Sequence, residues 1–412
     1  MMMKFQLKDR DKKTNVRTGI FKSGQNHFST PNRALTSTEI NYEDGLKNYA
    51  PKGIEYPNEF FLAQIRIDAE SLWMRDNDYF ASLLKQCQRY TNRIIDRTCI
   101  FKPLLYKQVR ERQEDGTYRR VKRMIQNLDI ELDAEKVNRI IRSVVHAGFE
   151  ADFDGITLPF IDNKFRLKTF MGNLNTAQNY ALKDLNSGIS IIPELPHNNN
   201  IDDFQEAMKQ YADKNPEGVL AMPHRSLGEN HFTHLAVKDF SEDDKSEKIG
   251  LLCLDAPRKH SISDVSFPHY AILQGYDAIA REIPKGSYLR EDGKDTKKKK
   301  VSQIRRFIST RLSIEDVKKE IFFNETKVDT SCGIFKKYNY KELSREAIEQ
   351  EQLDTAFKVM ETFDSHKEMK DCQVYVASND FTDYLKKRQS LNQAYKYDFS
   401  NKQSGLGDFF SK

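Results

Sequence analysis

The sequence predicts an α/β (α+β) fold, with a central mixed sheet flanked by helical segments at both ends of the chain. Apolar residues recur at helical spacing before residue 215, and short apolar runs typical of strands follow between residues 218 and 255. Helical spacing returns after residue 332. Because the period changes from helical to strand-like and back, we expect the sheet in the middle and helices on both sides.

Composition divides the 412 residues into four segments. Residues 1–58 are rich in Lys, Asn, Ser and Thr and lack a sustained period, which predicts a flexible leader. We interpret residues 59–195 as a helical regulatory region and residues 196–350 as the core with the candidate site, including a basic insertion at 284–311. Residues 351–412 predict a C-terminal helical region whose end, from Ser400, is frayed.

Charge and cysteine content exclude several classes of protein. There are 66 Lys plus Arg and 61 Asp plus Glu, a net charge of +5, so a globally basic nucleic-acid-binding protein is not expected. No run of about 18 apolar residues occurs, and no membrane span is predicted. The five cysteines are widely spaced and odd in number, and the histidines lack metal-ligand spacing. We therefore predict free thiols, a reducing compartment, no disulfide framework and no metal site.

Two helices have clear start signals. One begins at the capping residue Asp133, and the other begins after Asn200 and ends near Asn215. Their predicted apolar stripes comprise Val137, Ile140, Ile141, Val144 and Val145 in the first helix, and Ile201, Phe204, Met208 and Tyr211 in the second.

Three strands are predicted after these helices, at residues 218–222, 231–240 and 248–255. The short polar link at 241–247 predicts an antiparallel hairpin between the last two. The unbroken apolar run at 251–254 is typical of a strand covered on both faces. A helix at 269–283 and a long amphipathic stretch at 332–363 complete the prediction.

The predicted hairpin brings a histidine to a carboxylate. If the turn is centred on Asp244, His234 lies opposite Leu254 or Asp255, and the register that pairs it with Asp255 puts both side chains on one face of the sheet. A carboxylate that accepts a hydrogen bond from one imidazole nitrogen raises the basicity of the other, which is the base half of a catalytic triad. A satisfied polar contact with no catalytic role is the alternative interpretation of this pair.

The segment around Cys332 favours a nucleophile at the start of a helix. Asp329 and the two residues that follow it are helix-capping types, and Ile334 and Phe335 begin an apolar stripe. A cysteine in the first turn lies near the positive end of the helix dipole, which stabilises the thiolate. The alternative is a small buried residue, a role that fits Cys253 and Cys372 better.

These residues together resemble a known family. The order His234, Asp255, Cys332, with His-Leu-Ala-Val-Lys-Asp-Phe at the first position and Ser-Cys-Gly-Ile-Phe at the last, is similar to that of the YopJ family of bacterial effector acetyltransferases. The similarity covers roughly residues 200–350. It implies a cysteine-protease-like core of the ubiquitin-like-protease type. Members of the family usually have a glutamine shortly before the cysteine that helps to bind the oxyanion, but this chain has Thr326-Lys327-Val328 there, so no oxyanion side chain is assigned.

The resemblance implies a function and two small-molecule partners. His234 would deprotonate Cys332, with Asp255 orienting the imidazole, and Cys332 would carry an acetyl group from acetyl-CoA as a thioester. A Ser, Thr or Lys of a host protein, such as a signalling kinase or an immune protein, would receive it. The protein would be a secreted bacterial effector in the host cytoplasm, with the leader as its type III secretion signal.

The basic insertion at 284–311 carries a net charge of +7 and predicts an anion site. Family members are activated by inositol hexakisphosphate, and Arg305, Arg306 and Arg311 are the candidate contacts because arginine binds phosphate in a bidentate way. A solvated charge run is the alternative for Lys297–Lys300. Two further basic clusters fit a solvated face as well as an anion site. They comprise Arg119, Arg120, Lys122 and Arg123, and Arg139 and Arg142.

Two other functions stay open. A cysteine protease acting on ubiquitin or a ubiquitin-like protein would use the same three residues. A non-enzymatic interaction protein would bind nucleic acid or an anionic membrane through the basic insertion. We rank both below the acetyltransferase, and for the acetyltransferase no nucleic-acid partner is expected.

Overall fold

A computed structural model describes the chain in fifteen parts. They are residues 3–35, 39, 60–92, 97–112, 117–124, 132–159, 161, 166–195, 201–215, 217–224, 227–257, 265–281, 303–308, 312–318 and 350–396. For residues 119, 227–234, 303–308, 313–318 and 350–360 we describe the backbone only.

The described residues form fourteen strands and ten α-helices. The strands are β1 (Lys4–Arg10), β2 (Arg17–Ser23), β3 (Asn26–Thr30), β4 (Asn32–Arg33), β5 (Phe61–Asp68), β6 (Cys99–Arg112), β7 (Tyr118–Met124), β8 (Gly155–Leu158), β9 (Ser190–Pro193), β10 (Gly218–Pro223), β11 (Ile249–Ala256), β12 (Ala278–Arg281), β13 (Gln303–Ile308) and β14 (Ser313–Lys318). The helices are α1 (Ala69–Trp73), α2 (Asn77–Thr91), α3 (Ala134–Glu150), α4 (Leu167–Asn179), α5 (Ile201–Lys214), α6 (Leu227–Glu242), α7 (Phe267–Leu273), α8 (Gln350–Ala377), α9 (Phe381–Lys386) and α10 (Gln389–Tyr395).

Eight of the strands are parallel and close into a ring. Strands β5, β6, β8 and β9 are parallel neighbours in that order, and so are β10, β11, β12 and β4. Two isolated parallel bridges, Glu194 with Ala221 and Leu35 with Phe61, join the two sheets at both edges. Neighbours in the ring therefore follow chain order, which is the arrangement of a (β/α)8 barrel.

Helices connect successive strands of the ring, as parallel pairing requires. The connection from β5 to β6 contains α1 and α2, and one helix each of α3 to α7 precedes β8, β9, β10, β11 and β12. A parallel pair cannot be joined by a tight turn, because the chain must return to the end at which it started. The α/β class and the mixed sheet content predicted from the sequence are confirmed.

The hairpin predicted around Asp244 is wrong. Residues 231–240 belong to α6, and β11 pairs in parallel with β10 on one side and β12 on the other. Both β10 and β11 agree with the sequence prediction. Since these two strands are parallel neighbours, the residues between them must cross over the sheet, and a helix does this.

Alternation along each strand separates two apolar cores. Phe61, Ala63 and Ile65 of β5 pack outward in a cluster that includes the helices, whereas Leu62 lies in a second cluster with Leu252 of β11. This second cluster is the barrel interior, since it collects the residues of one parity from six of the strands in the ring.

The N-terminal strands close one end of the barrel, so the prediction of a flexible leader is wrong for residues 4–33. Strands β1, β2 and β3 form an antiparallel sheet whose Phe5, Phe21 and Phe28 belong to the interior cluster. The aromatic stack continues to Phe60, whose ring centroid is 4.7 Å from that of Phe28. Gly250, at the start of β11, leaves room for this plug, since a Cβ there would be 2.3 Å from the Phe21 ring.

The two helices with start signals are confirmed. The Asp133 side chain accepts a hydrogen bond from the backbone N–H of Lys136 at the start of α3, and the predicted stripe from Ile140 to Val145 is buried. Helix α5 buries Phe204, Met208 and Tyr211. The helix predicted at 269–283 is shorter, because α7 ends at Leu273 and the chain then enters β12. No helix in the described part of the chain is long and apolar enough to cross a membrane.

Candidate active site at the barrel mouth

The inward-facing side chains change from apolar to polar at the end of the barrel opposite the N-terminal plug. Ile100 of β6 and Ile192 of β9 belong to the interior core, and two residues further along the same strands lie Lys102 and Glu194. Thr157 lies near the end of β8. All three are buried. The carboxyl ends of the parallel strands therefore carry a polar layer, at the face where barrel enzymes have their active sites.

Asp255 completes this layer through an irregularity at the end of β11. Leu254 faces the interior, so simple alternation would turn Asp255 outward. Its φ is +54°, and the pairing with β12 shifts register between Cys253 and Ala256. A non-glycine residue in the left-handed region is uncommon and clusters at functional sites, and Asp tolerates it better than most residues. The irregularity brings the Asp255 carboxylate into the open end of the barrel at the carboxyl ends of the strands, which we call the mouth.

An ion pair joins Asp255 to Lys102. The Lys102 Nζ atom lies 2.5 Å from Asp255 Oδ1, and the Lys102 side chain is 2% exposed, whereas that of Asp255 is 29% exposed. The lysine is therefore sealed in the barrel, and the carboxylate keeps one side towards solvent. A buried ammonium is stable only when it is paired, so the Asp255 carboxylate is the counter-charge that Lys102 requires.

Glu194 is the second carboxyl of the site. Its Oε1 accepts a hydrogen bond of 2.6 Å from Thr157 Oγ1. Burial raises the pKa of Glu194, although the Lys102 ammonium and the Thr157 hydroxyl act to lower it, and the nearby Asp255 carboxylate raises it further. The two carboxyls therefore differ in setting, because Glu194 is buried with a raised pKa, whereas Asp255 is partly exposed and ion-paired.

The charge state of Lys102 follows from its neighbours. Burial alone would lower the pKa of Lys102, but the carboxylates of Asp255 and Glu194 outweigh it, and the pKa is raised. The amine is therefore an ammonium ion at neutral pH. It can orient and neutralise a carboxylate, whereas a nucleophilic amine would need a lowered pKa.

The rim of the mouth carries further polar contacts. Gln64 of β5 donates from Nε2 to the backbone carbonyl of Arg281 at the end of β12, over 3.1 Å. Arg281 Nη1 lies 3.5 Å from Glu361 Oε1 of α8. Helix α8 is thus attached to the mouth through the last strand of the ring.

The structure separates the predicted catalytic residues. Asp255 lies in the polar layer, but its close partner is Lys102 rather than an imidazole. His234 belongs to α6, so the predicted cross-strand contact with Asp255 is wrong. Cys332 lies outside the described residues. The predicted inert roles of Cys253 and Cys372 agree with their burial, which raises the pKa of both thiols.

The candidate phosphate-binding arginines are also divided. Arg305 and Arg306 belong to β13, and the residues opposite them in β14 are Asp316 and Glu315. Each arginine therefore has an acidic cross-strand neighbour in the register. Arg311 and most of the basic insertion lie outside the described residues.

Sequence reasoning missed Lys102, Thr157 and Glu194. A signal was present, because four apolar strands end in the same way, with a proline. The prolines are Pro159, Pro193, Pro223 and Pro257. This recurrence at the spacing of βα units predicts parallel strands, and polar residues near it mark their carboxyl ends.

Comparison with known proteins adds no family to this description. No protein-family model matches the chain, and a search of curated proteins finds no match either.

Proposed function

We propose that this protein is an enzyme that cleaves or transfers a glycosidic bond, with its active site at the mouth of the barrel. The observation that carries the proposal is the pair of unlike carboxyls around Lys102. Asp255 is ion-paired and partly exposed, whereas Glu194 is buried with a raised pKa. A buried carboxyl with a raised pKa beside a second, partly exposed carboxyl is the usual combination of acid and nucleophile, or acid and base, in glycosidic bond cleavage.

Asp255 is the nucleophile in this proposal. Its carboxylate oxygen attacks the anomeric carbon while the bond from that carbon to the leaving group breaks, and the electron pair departs with the leaving group. Glu194 gives its proton to the leaving group. In the second step an acceptor, water or another nucleophile, displaces Asp255 and loses its proton to the Glu194 carboxylate.

Lys102 is a positioning residue. It neutralises the charge of the Asp255 carboxylate and fixes its orientation through the 2.5 Å contact. The raised pKa of Lys102 argues against a Schiff-base mechanism, which would require a neutral amine. We therefore favour carboxylate chemistry over imine chemistry at this site.

Covalent trapping tests the proposal. Fluoroglycosides with a dinitrophenolate leaving group react with a catalytic carboxylate. The product is a glycosyl ester of that carboxylate, which hydrolyses slowly enough to be detected. For a panel of such sugars, we expect intact-mass analysis to detect one adduct, located on the peptide that contains Asp255. Asp255→Asn should form none. A folded wild-type protein that forms no adduct with any sugar, or an adduct that persists in Asp255→Asn, would contradict the proposal.

Glu194→Gln separates the two roles. Because an activated leaving group needs no proton, this variant should still form the adduct. On unactivated aryl glycosides we expect its turnover to fall by about 10²–10⁴-fold, the usual contribution of a general acid. Asp76→Asn is the matched control, since Asp76 is an exposed helix cap and asparagine caps equally well. An equal loss on both substrate types would contradict the acid role.

The acetyltransferase suggested by the sequence is the second candidate. The position of Asp255 at the end of a strand, with its carboxylate partly exposed, favours a catalytic role for this residue in either function. We propose it with Cys332 as nucleophile, acetyl-CoA as donor and inositol hexakisphosphate as activator, acting as a secreted effector on a host protein. The test is whether acetyl-CoA, with and without inositol hexakisphosphate, leaves an acetyl group on Cys332.

A further inference from the structure

Strand β6 extends well past the barrel mouth. It pairs with β5 from Cys99 to Tyr106 and then continues to Arg112 as a two-stranded ribbon with β7. The pairing is regular over both stretches. Residues of even number on β6 therefore stay on one side of the strand, from Lys102 in the site to Arg112 at the described end of the ribbon.

The two faces of this ribbon differ in charge. Cross-strand partners share a face, so the register assigns two sets. The first set, which we name the basic face, comprises Tyr106, Gln108, Arg110, Arg112, Tyr118, Arg120, Lys122 and Met124. The second set, the paired face, comprises Lys107, Val109, Glu111, Arg119, Val121 and Arg123. The basic face is the one that continues from the Lys102 side of β6.

The basic face carries four cations and no carboxylate among its described residues. Arg110, Arg112, Arg120 and Lys122 are all exposed. On the paired face, by contrast, Arg123 Nε lies 2.5 Å from Glu111 Oε1, and Lys107 Nζ lies 3.6 Å from Glu70 Oε2. Arg123 and Lys107 therefore already have anionic partners.

One pair on the basic face is unfavourable in the free protein. Arg110 lies directly opposite Arg120 in the register. Like charges in that position destabilise a sheet, unless an anion lies between or above them. Two guanidinium groups side by side form a site suited to phosphate oxygens, which they bind in a bidentate way.

Aromatic rings alternate with these cations. The Tyr118 side chain is 68% exposed and lies opposite Arg112. Tyr106 lies nearer the mouth, with Lys122 Nζ 4.9 Å from its ring centroid. Tyr118 is thus exposed and Tyr106 half-buried. Cations in a row, interleaved with aromatic rings, are the features of surfaces that bind a nucleic acid strand through phosphates and base stacking.

We infer that the basic face binds a nucleic acid strand and leads it into the barrel mouth. The inference rests on the proposed function, because it makes the substrate of the Asp255 site a sugar of that strand. From Lys102 to Arg110 the strand rises roughly 27 Å, which is long enough to contact several nucleotides. This inference departs from the sequence-based expectation of no nucleic-acid partner. That expectation rested on the net charge of the whole chain and not on the charge of one ribbon.

Binding of fluorescein-labelled oligonucleotides to the full chain tests the inference. Fluorescence anisotropy is measured for single-stranded DNA, single-stranded RNA and duplex DNA of twenty nucleotides, across a salt series. Arg110→Gln with Arg120→Gln removes two charges from the basic face. The matched control, Lys107→Gln with Arg123→Gln, removes two charges from the paired face of the same ribbon.

We expect the basic-face double variant to bind at least tenfold more weakly, and the control less than threefold. The slope of log affinity against log salt is negative, and its magnitude should decrease by about 1.4 for single strands or 1.8 for duplex, as expected for two lost phosphate contacts. The strand type with the highest affinity identifies the source. Equal weakening by both double variants, or no weakening by either, would overturn the inference.

Anionic vesicles complete the test. Sedimentation with phosphatidylserine-containing vesicles that captures the protein, while none of the oligonucleotides binds, would also overturn the inference in favour of a lipid surface. The binding measurement involves no turnover, so a negative result leaves the trapping of Asp255 as a separate question. Equally, failure to trap Asp255 leaves the binding result intact.

Discussion

Lys102 is the residue on which the electrostatics of the site depend. Its ammonium pairs with Asp255 and lowers the pKa of Glu194 against the effect of burial. Residues of this kind are hard to find from sequence, since a lysine within an apolar strand resembles any solvent-facing lysine. The neighbouring Ile100, Phe101 and Leu105 are all buried, which means that Lys102 has no route to solvent along its own strand.

Removal of the Lys102 charge should raise the pKa of Glu194 further. Lys102→Met keeps the length and apolar volume of the side chain but removes the ammonium, so only the Thr157 hydrogen bond still opposes the effects of burial and Asp255 on Glu194. Carbon-13 NMR of labelled glutamate carboxyls measures this titration. Lys107→Met, on the same strand but at the surface, should leave it unchanged. An unchanged pKa in Lys102→Met would contradict the electrostatic role.

A second buried pair predicts a dependence of stability on acid. Glu39 accepts hydrogen bonds from Arg33 and Thr362, and its pKa is lowered to about 2, because these partners and Arg281 outweigh the effect of burial. A carboxyl with a lowered pKa in the folded state stabilises the fold above its unfolded value. That stability is lost as the pH falls from about 4.5 towards 2.

Glu39→Gln should therefore lower the free energy of unfolding at neutral pH by about 3 kcal/mol, since it leaves Arg33 buried without its counter-charge. The variant should also lose part of the pH dependence below 4.5. Urea unfolding at several pH values measures both. Glu206→Gln, at an exposed helix position, is the control and should change stability by less than about 0.5 kcal/mol. Equal behaviour of the two variants would exclude this role for Glu39.

At the scale of elements, the N-terminal sheet is part of the barrel core. Arg17 of β2 donates from Nε to Asp277 Oδ1 over 2.8 Å and from Nη2 to the backbone carbonyl of Ile249. Both partners lie at the amino ends of ring strands. Sequence reasoning missed this sheet because its apolar residues are few and are separated by polar ones. Phe5, Phe21 and Phe28 become a core when the barrel supplies the opposite surface.

Gly250→Ala tests the fit of this plug. The added Cβ would overlap the Phe21 ring, so we expect a loss of about 1–3 kcal/mol of stability. Phe21→Leu in the same chain should recover part of that loss, and chemical denaturation of the single and double variants gives the coupling. Gly172→Ala, in a helix with nothing within 4 Å of the new Cβ, should instead stabilise by about 0.5–1 kcal/mol. Additive effects of the Gly250 and Phe21 substitutions would contradict the contact.

A charge reversal on the basic face of the β6–β7 ribbon should raise stability and abolish oligonucleotide binding. Arg110→Glu creates an opposite-charge pair with Arg120, so we expect stability to rise by about 0.2–1 kcal/mol while oligonucleotide binding is lost. Lys386→Glu is the control, since it replaces an attraction to Asp383, 2.7 Å away on the same helix, by repulsion and should lower stability. Thermal unfolding with anisotropy measures both effects. A fall in stability for Arg110→Glu would exclude the unfavourable pair.

At the scale of the whole molecule, local elements were predictable and their arrangement was not. The capping of α3 by Asp133, the stripe of α5 and the strands β10 and β11 follow from patterns within a few residues. The error at 231–240 arose because Phe232, Leu235 and Val237 fit a strand as well as a helix over so short a window. Only the parallel pairing of β10 with β11, a contact between distant residues, decides the matter.

The site followed the same rule. Asp255 was singled out as the partner of His234 in a predicted hairpin, but its partner in the structure comes from a strand more than a hundred residues earlier in the sequence. Lys102, Thr157 and Glu194 share a face only once the ring closes. The closing of the barrel therefore brings the residues of this candidate site together from distant strands, whereas the repeated strand endings at Pro159, Pro193, Pro223 and Pro257 are visible without a structure.

The most direct test of this account is one mass measurement on the wild-type protein and two variants, Asp255→Asn and Cys332→Ala. Each is incubated with the fluoroglycoside panel, and separately with acetyl-CoA and inositol hexakisphosphate. We predict a glycosyl adduct on the Asp255 peptide that is lost in Asp255→Asn and retained in Cys332→Ala. An acetyl group on Cys332 with no glycosyl adduct in any sample would contradict the account and favour the acetyltransferase.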